Sequence, residues 1–133
     1  MSEDSNKKRA RMSLRAKVNI RSTFETPAFK VHGSVMQLSE GGMLFCCQEE
    51  LSINTRGIFM MRLFADEAPV WVSAEVIYRL EEKAQNAKAR RYGVKFRDLS
   101  PSILEMIGRV LRSARLKERY SSKDNNEGED RQD

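Results

Sequence analysis

The segment FKVHGSVMQLSEGGMLFCC, residues 29–47, sets the terms for the whole chain. Phe29, Val31, Gly33, Val35 and Gln37 fall on alternate positions, the period of a strand with one face turned to a core, and Ser39 continues that parity. Ser39-Glu40-Gly41-Gly42 is turn material, and Met43–Cys47 is a short apolar run that reads as the returning strand. The strand end so predicted carries Gln37 and Ser39 two apart on one side. An amide and a hydroxyl there supply donors and acceptors matched to the edge of a purine. Gly41 and Gly42 let the backbone turn sharply and let a ligand approach with no Cβ in the way.

Strand patterns continue on both sides. Val18, Ile20 and Phe24 alternate with polar neighbours. NTRG at 54–57 is a turn leading into IFMMRLFA, and PVWVSAEVIYRL at 69–80 is rich in β-branched and aromatic residues. EEKAQNAKAR at 81–90 has helix-forming composition without an apolar stripe and reads as an exposed hairpin loop. RYGVKFRDL then puts Tyr92, Val94 and Phe96 on one side of a sixth strand. Six short strands separated by turns predict a mainly β fold, a small antiparallel Greek-key barrel.

The period then changes. Ile103, Leu104, Ile107, Val110, Leu111 and Ala114 recur at three- and four-residue spacing, which predicts an amphipathic helix over 102–119. Two starts compete: Ser100 capping with Pro101 at the first helical position, or the capping box Ser102/Glu105. The apolar face is expected to cover an open end of the barrel, with dimer contact as the alternative, so oligomeric state stays open. The expected organisation is a disordered basic arm (1–10), one folded domain (11–119) and a disordered acidic tail (120–133).

Of 133 residues, 40% are hydrophobic and 32% charged, enough for one modest core. No apolar run reaches the roughly 18–20 residues of a membrane span, and the first residues lack a signal-peptide core. A soluble, cytoplasmic protein is therefore expected. The net charge of +5 is uneven, with Lys7, Lys8, Arg9, Arg11, Arg15, Lys17 and Arg21 crowding the first 21 residues. A basic head suits a phosphate-bearing partner, whether nucleic acid, nucleotide or membrane surface, although on charge alone a solvated basic tail is the leading reading.

Catalysis finds no support. The one histidine, His32, lies mid-strand beside no nucleophile, and adjacent Cys46 and Cys47 with it are too few for a zinc site. Neighbouring cysteines do not readily reach disulfide geometry and read as packing residues. Arg11 and Arg15 remain, four apart and so on one side whether helical or extended. Two guanidiniums can grip a phosphate through forked hydrogen bonds and stack on a base.

RMSLR (11–15) resembles the Arg-x-x-x-Arg motif of PilZ domains, bacterial receptors for cyclic di-GMP. QLSEGG (37–42) resembles their second motif, Asp/Asn-x-Ser-x-x-Gly, with Gln37 in place of the acid or its amide. AEVIY (74–78) and YGVKF (92–96) look like the family's last two strands. The resemblance covers residues about 8–99. It implies an arginine loop folded over the barrel mouth, with the dinucleotide held between it and the second motif. Carried over, Arg11 faces a guanine, Arg15 a guanine or phosphate, and Gln37 and Ser39 a guanine edge. Gly41 and Gly42 give clearance, Arg9 and Lys8 assist with phosphate, and Tyr78 stands near the ligand. No cofactor beyond that ligand is implied, and the family takes up one dinucleotide or a stacked pair. The expected function is an effector that orders its arginine loop on binding and then contacts a downstream protein. An interaction module that binds no nucleotide is the alternative within the family. RNA or DNA binding is a third reading, disfavoured because most aromatic residues occupy core-patterned positions.

Overall fold

The computed structural model of the chain describes residues 15–80 and 89–132, with side chains as far as Lys117. The predicted basic arm and nearly all of the 81–90 loop lie outside the described residues. Six strands follow one another: β1 (Ala16–Glu25), β2 (Lys30–Leu38), β3 (Gly42–Cys47), β4 (Arg56–Met61), β5 (Val70–Leu80) and β6 (Arg90–Arg97). All pairings are antiparallel, and the spatial order β1-β2-β3-β6-β5-β4 closes because β4 also pairs with β1. The run β4-β1-β2-β3 is a Greek key, as expected. Closure leaves no unpaired strand edge to template aggregation.

The alternating residues fill the interior. Phe24, Val35, Phe45, Phe59, Met61, Val76 and Tyr92 are all fully buried. Phe24 and Phe59 stack at 4.3 Å between ring centroids, and Phe45 meets Phe59 edge-on at 4.9 Å. Parity fails in β2. A bulge between Val35 and Gln37 turns Leu38 into the core instead, and Phe29 stays exposed. The expectation that Gln37 shares the face of Val31 and Val35 is thereby corrected: one extra residue reverses every side chain beyond it.

The Greek-key crossover from β3 to β4 is fastened from inside. The Tyr92 hydroxyl accepts from Leu51 N at 2.8 Å and donates to Glu49 O at 3.2 Å. Asn54 takes a positive φ of 74° in the turn before β4, a conformation asparagine tolerates better than most residues.

The helix α1 spans Pro101–Gln132. Ser100 wins the competition for the cap: its Oγ accepts from Ile103 N at 3.2 Å, leaving Pro101 where a missing N–H costs nothing. The helix continues past the expected end at 119 and through the stretch expected to be disordered; no proline interrupts it there. Ile107, Val110 and Leu111 join the barrel core, so most of the apolar face packs on the chain's own barrel, while Leu104 stays exposed. Arg109 lies 4.5 Å over the Phe64 ring and pairs with Glu67 at 2.9 Å, tying α1 to the β4–β5 loop.

Cys46 and Cys47 are free thiols. Burial pushes the Cys47 thiol up from 9.0 to about 11. Among the described residues, no helix is long and apolar enough to cross a membrane, and no cluster of His, Cys, Asp or Glu could hold a metal.

Candidate functional site

The barrel's three irregularities cluster. Register breaks fall between Lys17 and Ile20 on β1, Val35 and Gln37 on β2, and Val76 and Tyr78 on β5. Bulges bend a strand and re-aim side chains, and they concentrate beside functional sites. Cross-strand partners then trace one outward row around the wall: Lys17, Gln37, Leu44, Gly93 and Tyr78. The neighbouring inward row, Ala16, Leu38, Met43, Val94 and Val76, is wholly buried.

Against the outward row lies an open pocket of about 330 Å³. Arg15, Gln37, Ser39, Gly41, Gly42 and Tyr78, six of the residues singled out in the sequence, all line it. Arg11, Arg9 and Lys8 lie outside the described residues. Lys95 and Ile77 line it as well and were not anticipated. Lys95 had a legible signal, since it alternates with the core residues Val94 and Phe96. What placed it here is its pairing with Gly42, which is a matter of register.

The turn at 39–42 is tightly made. Ser39 N donates to Gly42 O at 2.9 Å, the Ser39 hydroxyl donates to the same oxygen at 3.1 Å, and Gly42 N donates back to that hydroxyl at 3.2 Å. Phe96 N donates to Gly41 O at 3.0 Å, which fixes the turn to β6. The Ser39 side chain thus builds the turn first and keeps one lone pair for anything else.

The two glycines of the turn play different parts. Neither has a positive φ. A Cβ on Gly42 would stand 2.2 Å from Val94 O, so its bareness serves the close approach of β3 to β6. At Gly41 a Cβ would meet nothing within 4 Å, and only there is open space left beside the pocket. A third glycine matters more. A Cβ on Gly93 would fall 2.1–2.6 Å from three carbons of the Tyr78 ring. That ring therefore lies directly on the bare backbone of β6, supported beneath and 48% exposed.

Arg15 and Lys95 bring two positive charges, and among the described residues no carboxylate lines the pocket. Among the described residues, neither cation has an ion-pair partner, and the Gln37 amide and Tyr78 hydroxyl have no hydrogen-bond partner. An unpaired amide, two unpaired cations and a supported aromatic ring suit an anion that also carries a flat polar ring.

The family model described as PilZ domain matches residues 8–113, and the chain belongs to that family. No curated protein matches it by sequence. Among solved structures, the PilZ domain of YcgR from Escherichia coli, determined with c-di-GMP, superimposes with a TM-score of 0.68 at 17% identity. The alignment covers 84% of this chain and 95% of that one. Full YcgR from Escherichia coli in complex with c-di-GMP gives 0.70 at 16% identity, over 84% and 49% of the two chains. PlzA of Borreliella burgdorferi, also in complex with c-di-GMP, gives 0.63 at 11% identity, over 88% and 57%. At such identities the likeness is one of fold, and this chain spans about half the length of the two larger proteins.

Proposed function

We propose that this protein is a cyclic di-GMP receptor whose binding site is the pocket between the 39–42 turn and Tyr78. The observation that carries it is the convergence of Arg15, Gln37, Ser39 and Gly41 on one pocket outside a PilZ barrel. The neighbours solved with c-di-GMP support the same ligand. Arg15 and Lys95 take phosphate charge, and the Gln37 amide takes a guanine edge. The Tyr78 ring receives a base on its outer face. Arg11, with Arg9 and Lys8, closes the site from the N-terminal side as the arm orders on the ligand, and the ordered arm forms part of the surface a downstream protein reads.

Calorimetric titration of c-di-GMP into the native protein and into Arg15→Ala tests this. A hydrogen bond to a charged group is worth roughly 1.5–3 kcal/mol, so the variant should bind about 10- to 150-fold more weakly. Saturable heat in the native protein and its collapse in the variant support the proposal; equal affinities overturn the site. Absence of heat in the native protein overturns the nucleotide reading. It would favour the ligand-independent interaction module, for which Gln37 in place of Asp or Asn is the one supporting feature.

A further inference from the structure

A carboxylate stands directly beside the nucleotide pocket and takes no part in lining it. Glu75 on β5 lies opposite Lys95 on β6, and Lys95 lies opposite Gly42, the residue that closes the 39–42 turn. On its other side Glu75 faces Arg56 of β4. Arg56, Glu75, Lys95 and Gly42 thus form one outward row across four strands, which enters the pocket at Lys95. Residues directly opposite on an antiparallel pair have Cβ atoms about 4.5–5.5 Å apart, so the backbone offers Glu75 two cations, one on each side.

Glu75 turns away from Lys95. Its Oε1 accepts from Arg97 Nη1 at 3.1 Å and lies 3.5 Å from Arg56 Nε. Arg97 reaches it diagonally from opposite Ser73, whose short side chain leaves the way open. The Glu75 side chain is 13% exposed, whereas those of Arg97 and Arg56 are 39% and 67% exposed. The carboxylate is therefore held beneath two guanidiniums. Lys95 is exposed and, among the described residues, forms no ion pair. Opposite charges facing each other across a ladder ordinarily attract, and here one ammonium has lost that competition to two guanidiniums.

We propose that Arg97 and Arg56 are positioning residues of the nucleotide site, which hold Glu75 so that the Lys95 ammonium stays free for a ligand phosphate. Neither arginine lines that pocket, and both act through Glu75. The inference rests on the reading of Lys95 as a phosphate contact for c-di-GMP. A released Glu75 would do two things at once. It would take up Lys95, and it would set an uncompensated negative charge beside the incoming phosphate.

Calorimetric titration of c-di-GMP into the native protein and into Arg56→Gln/Arg97→Gln tests this, with Glu75→Gln and Lys95→Met each added to that pair. The arginine variant should bind about two- to fivefold more weakly, the worth of one part-exposed ion pair turned against the ligand. Adding Glu75→Gln should relieve the loss. In a Lys95→Met background, itself weaker, the arginine exchanges should make no further difference, whereas a general loss of positive field would persist there. The ammonium NMR signal of Lys95, recorded without nucleotide, gives a second readout. It should shift and exchange more slowly with water in the arginine variant, and revert with Glu75→Gln. Arg97→Gln alone, which leaves Arg56 on Glu75, should show a smaller change of the same kind and serves if the pair of exchanges unfolds the protein. No c-di-GMP binding by the native protein would overturn the nucleotide reading, and the arginines' role in binding with it. Native binding with a loss that Glu75→Gln does not relieve or that persists in Lys95→Met, no loss at all, or an unmoved ammonium signal would overturn this inference alone.

Discussion

Two glycine-to-alanine exchanges should separate fold from site. In Gly42→Ala the new Cβ meets Val94 O at 2.2 Å, where ordinary contact begins at 3.4 Å. The obstacle is the backbone of β6, so relief requires strands normally about 4.8 Å apart to yield by about 1 Å, loosening the ladder that closes the barrel. Overpacking of this kind costs roughly 1–3 kcal/mol or more. In Gly93→Ala the clash at 2.1–2.6 Å is with the Tyr78 ring, a side chain free to swing toward solvent. Alanine also removes the entropic handicap of glycine in a strand, about 0.5–1 kcal/mol, so net stability should change little. The ring, however, leaves its seat. Loss of one base-stacking contact, about 1–3 kcal/mol, should weaken c-di-GMP binding some 5- to 150-fold. Urea unfolding and calorimetric titration of both variants decide the matter. Gly93→Ala unfolding as readily as Gly42→Ala, or binding c-di-GMP as tightly as the native protein, would refute the assignment of Tyr78 as a platform resting on Gly93.

Three further expectations concern single side chains. Tyr92→Phe leaves Leu51 N without its 2.8 Å acceptor inside the crossover, so urea unfolding should show a loss of about 1–3 kcal/mol with the nucleotide site intact. Gln37→Asn shortens the amide arm by one methylene and should tighten c-di-GMP binding by the ordering cost of a long side chain, roughly 0.5–1.5 kcal/mol; a tighter native protein in the same titration would contradict this. The Cys47 thiol is raised from 9.0 to about 11, so the folded state resists the thiolate that the unfolded state forms. Its contribution is complete below pH 9.0 and lost as pH rises toward 11; urea melts should show that decline flattened in Cys47→Ala.

The sequence carried the strands well where burial is simple. Tyr92, Val94 and Phe96 alternate into the core as their spacing predicts, and Ile107, Val110 and Leu111 turn inward on the helix as theirs does. It was less clear at β2, because a bulge adds one residue to a period of two. The only trace in the sequence is that the two buried residues of SVMQL, Val35 and Leu38, are three apart. Misreading that parity placed Gln37 toward the core, when in fact the bulge is what turns it out to the pocket. The identities of most pocket residues were still legible, because they cluster in two short stretches. Their partners were not. Gly93 beneath Tyr78, Val94 O against Gly42, and Lys95 beside the turn all depend on the pairing of β6 with β3 and β5, which short apolar strands do not reveal singly.

The most direct test of the pocket itself is an amide chemical-shift map of the isotope-labelled protein during titration with c-di-GMP. The largest changes should gather on Ser39, Gly41, Gly42, Tyr78 and Lys95, with Trp71 and His32, toward the other ends of β5 and β2, nearly still. Changes centred away from the 39–42 turn, or none at all with millimolar nucleotide, would contradict the account.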